Sequence, residues 1–160
     1  MSKVRERTRP HVRPHVRPKE FHFPVAVEWL DDRRVCTHVE GKQAIQVTPP
    51  PEFSGVDPST WSPEDFFVAA AASCLAVTFT GLAEKASLEY RRLRVDADGI
   101  AGLRDDGRFG FTRVVLRLRV EVAHGDEELA RGIAGRAEAK CLVAASLDLP
   151  VETSIDVSTA

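Results

Sequence analysis

Between Phe66 and Ala83 the chain runs for eighteen residues without a charge. A segment of that length approaches a marginal membrane span. Its composition argues for a different home: Ala, Thr, Ser and Phe dominate it, and one Cys and one Gly interrupt it. It reads as a helix buried in a protein core, and no membrane association is expected. The preceding residues fix its start. Ser62 can cap, Pro63 suits the first helical position, and Glu64 and Asp65 bring negative charge to the positive end of the helix dipole. The helix should extend to about Ala86. Being apolar on every side, it belongs at the centre of the domain.

The flanking segments alternate in the two-residue rhythm of strands. Phe23, Val25, Val27 and Trp29 share one phase. Asp31 to Arg34 form a polar turn, and Val35–Val39 and Gln43–Val47 make two more short strands. Pro49-Pro50-Pro51 ends this sheet segment. Beyond the helix, Leu93, Val95 and Ala97 alternate with charged residues. Phe109 and Phe111 then lie in one phase and Val114 to Val122 in the other, which predicts a bulge near Thr112-Arg113. A second helix is expected from Asp126 to about Ser146, with Leu129, Ile133, Ala137 and Cys141 on its inward stripe. Val151–Val157 closes the chain as a strand. Strands, helix, strands, helix and strand in that order predict an α+β fold, not a doubly wound parallel sheet.

Charge is divided unevenly. Residues 1–20 hold seven Lys/Arg and two Glu, a net +5, while the rest holds fifteen basic and twenty-two acidic residues, a net −7. The unit Arg-Pro-His-Val occurs at 9–12 and again at 13–16. Proline every fourth residue forbids a helix, so residues 1–20 are expected to be a disordered basic arm. The arm could touch an anionic partner or bind metal through His11 and His15, although a solvated tail is the plainer expectation. Residues 21–160 form the folded domain. Its acidity speaks against a nucleic-acid-binding body. No apolar signal segment is visible, and three cysteines do not make a disulfide framework, so a cytoplasmic protein with free thiols is expected.

The chain has no Gly-rich phosphate loop, CxxC, HExxH or GxSxG motif. His38 and His124 lie far from other ligand types, and no metal or organic cofactor is expected. The thiols remain. Cys74 sits mid-helix, where a helix N-terminus cannot help it, so its thiolate would need a nearby cation, with Arg33 and Arg34 as candidates. Glu64 precedes Cys74 by ten residues, roughly 15 Å along one helix. Both can serve one site only if a second copy brings its own helix alongside, as a two-fold dimer does.

Two blocks now carry a resemblance. Pro63-Glu64-Asp65-Phe66-Phe67 followed by Ala72-Ser73-Cys74 resembles the Pro-Glu-x-hydrophobic-x…Ala-x-Cys block of the OsmC/Ohr family, the osmotically induced and organic hydroperoxide resistance proteins. Ala137-Glu138-Ala139-Lys140-Cys141 with Ser146-Leu147 and Val151-Glu152 resembles that family's second-cysteine block. The likeness spans roughly residues 23–157. It implies antiparallel sheets around the long helix, an intertwined homodimer, and thiol-dependent reduction of organic hydroperoxides or hydrogen peroxide. Cys74 matches the peroxidatic cysteine, Cys141 the resolving one with which it forms a disulfide, and Glu64 the active-site carboxylate. Arg33 aligns best with the family's arginine, Arg34 next. The implied reductant is a dithiol, such as a lipoylated protein. Phe66, Phe67, Phe79 and Trp61 would supply apolar walls for an alkyl substrate. A ligand-binding or redox-sensing module with little catalysis is the alternative. The chain departs from the family in having Cys141-Leu142-Val143 where Cys-Pro is commoner; Cys36 matches no family position.

Overall fold

The computed structural model describes residues 19–55 and 57–159. The arm expected over 1–20 falls outside these, apart from Lys19 and Glu20, which are exposed. Among the described residues six strands form two sheets of three. The first holds β1 (Ala26–Asp31), β2 (Arg34–His38) and β3 (Ile45–Val47) in that order. The second holds β4 (Tyr90–Leu103), β5 (Phe109–Val122) and β6 (Val151–Thr159). The α-helices of the described residues are α1 (Pro63–Lys85), α2 (Glu127–Lys140) and the short α3 (Leu142–Ala145).

The start of α1 is built as its residues require. The Ser62 hydroxyl accepts from the Asp65 N–H at 3.1 Å, and the Asp65 carboxylate accepts from the Ser62 N–H at 2.8 Å. This reciprocal pair satisfies two backbone donors that a helix start leaves free and is worth about 1 kcal/mol. At the other end Ser87, in the left-handed region at φ 53°, turns the chain into β4. Ala71, Leu75, Phe79, Leu82 and Ala83 form the buried side of α1. They meet Val114, Leu116, Leu118, Val120 and Val122 of β5 and Ala130, Ile133, Ala134 and Ala137 of α2 in one core. By length and hydropathy α1 could cross a membrane. Its packed side is that of a core helix.

β4 and β5 pair along nearly their whole length. Ile100 opposes Arg113 and Ala101 opposes Phe111, so Thr112 is the extra residue of a bulge, at the place where the hydrophobic phase slips. Its hydroxyl donates to the Ile100 carbonyl at 3.0 Å. β6 runs parallel to β5, so the second sheet is mixed and not wholly antiparallel as expected. The connection through α2 and α3 is the helical crossover that a parallel neighbour needs.

Three expectations need correction. The second helix is not continuous to Ser146: it stops at Lys140, and Cys141 at φ −65°, ψ 106° is extended before α3 begins. Leu129 is not on the inward stripe; it is 45% exposed, and Ala130 takes the buried place beside Ile133, Ala137 and Cys141. Nor is α1 covered on every side within the chain. Ala70, Ser73 and Val77 are exposed, Val77 by 69%. The first sheet is also left bare. It packs against neither α1 nor the second sheet to any extent. Its tie to the body is a short bridge, Val47 to Trp61, with the Thr48 N–H donating to the Trp61 carbonyl. Val27 and Trp29 consequently present an open apolar face.

One contact sets how closely α1 can approach β4. A Cβ on Gly99 would lie 2.4 Å from Val68 Cγ2 and 2.7 Å from Phe111 Cε1. Gly99→Ala must push the helix or the Phe67–Phe111 ring stack aside, where the rings lie 4.3 Å apart. It should destabilise the protein by about 1–3 kcal/mol in urea unfolding; an unchanged midpoint would show that the interface gives way freely.

Candidate active site

The break after Lys140 shapes the site. Extended at ψ 106°, Cys141 drops out of α2 and caps α3. The Ala145 N–H bonds the Cys141 carbonyl, but the Leu142, Val143 and Ala144 N–H groups have no backbone acceptor. Cys141 itself is 1% exposed, and its thiol points to the Ala71 carbonyl of α1 at 4.0 Å. One helical turn onward stands Cys74. It is half-buried, at the border between the packed side of α1 and the open side of Ala70, Ser73 and Val77.

The two thiols influence each other and are pushed in opposite directions. Burial raises the pKa of Cys74, but the Val143 N–H, the Cys141 thiol, the Thr78 hydroxyl and the Leu142 N–H together outweigh it and hold the group below its usual value. For Cys141, burial acts first and upward. The Ala144 and Val143 N–H groups oppose it, but the neighbouring Cys74 thiolate adds to the rise, and Cys141 stays above its usual value. Of the two, Cys74 is therefore the thiol that ionises more readily, and Cys141 the one that keeps its proton to higher pH. Both are free thiols in this structure.

The expected cation is not what does this within the chain. Arg33 donates to the Phe53 carbonyl at 3.0 Å, and Arg34 is held by Asp31 through Nε to Oδ1 at 2.6 Å and a second contact from Nη2 to Oδ2. Both line a hollow of about 270 Å³ with Thr48, Ser54 and Asp57, on the side of the first sheet. Glu64 is likewise apart from Cys74, ten residues away on one unbroken helix. Its Oε2 is buried and has no hydrogen-bond partner. Of the four aromatic residues expected to wall the substrate, Phe79 is wholly buried against Tyr90, and Phe67 stacks on Phe111; both belong to the core. Trp61 and Phe66 stack at 5.4 Å beside Glu64 and stay accessible.

Cys36 is half-buried on β2 opposite Glu28 and Gln46, away from the other thiols. His38 approaches Glu28 at 3.7 Å, and His124 is exposed beside Glu127. Among the described residues no cluster of three or more His, Cys, Asp or Glu could hold a metal ion. Sequence reasoning missed the backbone donors of α3. The signal was present in Leu142, which keeps the N–H that a proline there would lack.

Leu142→Pro isolates that donor. Position 142 is the first of α3, and the extended Cys141 before it suits a following proline. A lowered pKa keeps Cys74 as thiolate to lower pH, so the midpoint of its alkylation by iodoacetamide should lie below that of an ordinary thiol in the native protein. It should move upward in Leu142→Pro. Identical profiles would remove the Leu142 N–H from the explanation.

Comparison with known proteins agrees with the two cysteine-bearing blocks. The family model for OsmC-like proteins matches residues 56–156. The uncharacterized protein YmaD of Bacillus subtilis is 26% identical over 144 residues, covering 87% of this chain and 95% of its own. An OsmC-like protein of unknown function from Vibrio cholerae has the same fold, with TM-score 0.78 at 23% identity over 85% of this chain and 99% of its own. An organic hydroperoxide resistance protein from Elizabethkingia anophelis has TM-score 0.67 at 18% identity, over 89% and 99% of the two chains. With the family model covering more than half its length and the fold in agreement, the chain belongs to the OsmC-like protein family.

Proposed function

We propose that this protein is a cytoplasmic thiol peroxidase that reduces organic hydroperoxides, and hydrogen peroxide less well, at the expense of a dithiol. The observation that carries the proposal is the Cys74–Cys141 pair, one thiol lowered and accessible, the other raised and buried against it. The Cys74 thiolate attacks one peroxide oxygen, the O–O bond breaks, and the alcohol or water leaves with a proton. Cys74 becomes a sulfenic acid. Cys141 then attacks that sulfur, its proton leaves with the hydroxyl as water, and a Cys74–Cys141 disulfide remains. A dithiol such as a lipoyl group returns both cysteines to thiols.

The complete site in this proposal needs two copies of the chain. The bare sides of α1 and of the first sheet require a cover, and a two-fold dimer supplies one for both. The same dimer brings the Glu64 of one copy toward the Cys74 of the other. The unpaired Glu64 Oε2 supports this, since a buried acceptor without a donor costs about 1–3 kcal/mol. Arg33 is the donor assigned to it, because Arg34 is already committed to Asp31. A bidentate Arg33–Glu64 pair would orient the peroxide over Cys74. Trp61 and Phe66, stacked next to Glu64, would give the entrance an apolar flank suited to an alkyl group.

Peroxide consumption tests the proposal, with cumene hydroperoxide set against hydrogen peroxide and dithiothreitol as reductant. Turnover should be faster with the organic substrate and should vanish in Cys74→Ser. Cys141→Ser should accept one oxidising equivalent and stall as a sulfenic acid. Val77→Asp, on the open face of α1, should sediment as a monomer and lose at least tenfold in turnover. Unimpaired turnover in Cys74→Ser would overturn the peroxidase, and a fully active Val77→Asp monomer would overturn the shared site.

A further inference from the structure

Cys141 has a second neighbour besides Cys74. It lies in the wall of a separate hollow of about 200 Å³, with Leu75, Leu116, Ala144, Ala145, Val151 and Thr153. Cys74 is not part of that wall. The hollow sits between α1, β5, α3 and β6 and is predominantly apolar, with Glu138 of α2 as its charged wall residue. Cys141 therefore borders this hollow on a side that Cys74 does not line.

We infer that this hollow is the entry for the reductant: a small, neutral, aliphatic dithiol enters beside Ala145 and Thr153 and attacks the Cys141 sulfur of the Cys74–Cys141 disulfide. The inference rests on the peroxidase reading for the presence of that disulfide. Thiol–disulfide exchange needs the attacking sulfur, the attacked sulfur and the leaving sulfur in line. Attack on Cys141 from a hollow whose wall excludes Cys74 would expel Cys74. Cys74 is the better leaving group, since the Leu142 and Val143 N–H groups receive its thiolate. Attack from the other side would expel Cys141, whose buried sulfur has its pKa raised by desolvation and by Cys74.

The step balances. The thiolate of the reductant bonds to Cys141, the Cys74–Cys141 bond breaks, and Cys74 leaves as thiolate. The second thiol of the reductant then attacks its own sulfur in the mixed disulfide. Cys141 is released and takes up a proton, and the reductant departs as a cyclic disulfide, having given two electrons. A hollow this small admits one slender chain, so the second thiol has to arrive on the same molecule. A dithiol should therefore reduce the protein better than a monothiol of similar size. Glu138 disfavours a reductant that carries a carboxylate at the same wall.

The experiment separates this inference from the peroxidase reading by forming the disulfide without peroxide. A Cys36→Ser protein is oxidised with diamide, treated briefly with 2-mercaptoethanol, quenched in acid and mapped by peptide mass. The adduct should sit on Cys141 with Cys74 free; an adduct on Cys74 would overturn the inference. In a second arm, Ala145→Leu and Thr153→Leu narrow the hollow. Each should slow reduction of the diamide-formed disulfide by dithiothreitol at least tenfold, while cumene hydroperoxide oxidises Cys74 at the native rate. Unchanged reduction in both variants would also overturn it. A Cys141 adduct in a protein that never turns over peroxide would support the entry route and refute the peroxidase.

Discussion

The packing of α1 on the second sheet and on α2 is the constraint from which the rest of this structure follows. It buries Leu75, Phe79, Leu82 and Ala83 against the β5 valines and leucines. It also fixes Cys74 in height and rotation. Gly99 sets the distance of approach on the sheet side. On the other side, Ala130, Ala134 and Ala137 are small enough to bring α2 close. The chain leaving α2 therefore passes directly beside Cys74, and the change to extended backbone at Cys141 turns the free N–H groups of α3 toward it. A thiol in mid-helix thus receives, from a neighbouring element, the donors that its own helix cannot offer.

Much of this was legible in local patterns. The start of α1 is dictated by Ser62, Pro63 and Asp65, whose partners lie within three residues. The bulge at Thr112 is visible because a bulge shifts every later side chain to the opposite face. Other features depend on partners far along the chain and leave no local trace. The stop at Cys141 follows neither glycine nor proline, so its periodicity reads straight through to Ser146. Ala130, not Leu129, takes the buried place on α2, which the helical stripe read from the sequence does not reveal. The parallel pairing of β6 with β5 is a matter of topology, and an alternating strand reads the same in either direction.

The candidate site divides along the same line. The residue types of Cys74, Cys141 and Glu64 stand out in the sequence, and the cysteine pair meets within one chain. Glu64 and Arg33 do not join it there. The two features that sequence reading described least well, the bare side of α1 and the detached first sheet, are the ones an intertwined dimer would explain. An all-round apolar helix and a sheet with Trp29 71% exposed are then halves of one interface. The proposed chemistry also has a division of labour: Cys74 faces the substrate, while Cys141 faces both Cys74 and the hollow of Leu75 and Thr153.

The central claim is that Cys74 and Cys141 form one redox unit. It is tested most directly by adding a single equivalent of cumene hydroperoxide to the reduced protein and mapping its cysteines under non-reducing conditions. A Cys74–Cys141 disulfide should form, with Cys36 still a free thiol. Cys74 found as sulfinic acid beside an unreacted Cys141, or Cys74 left untouched, would contradict it.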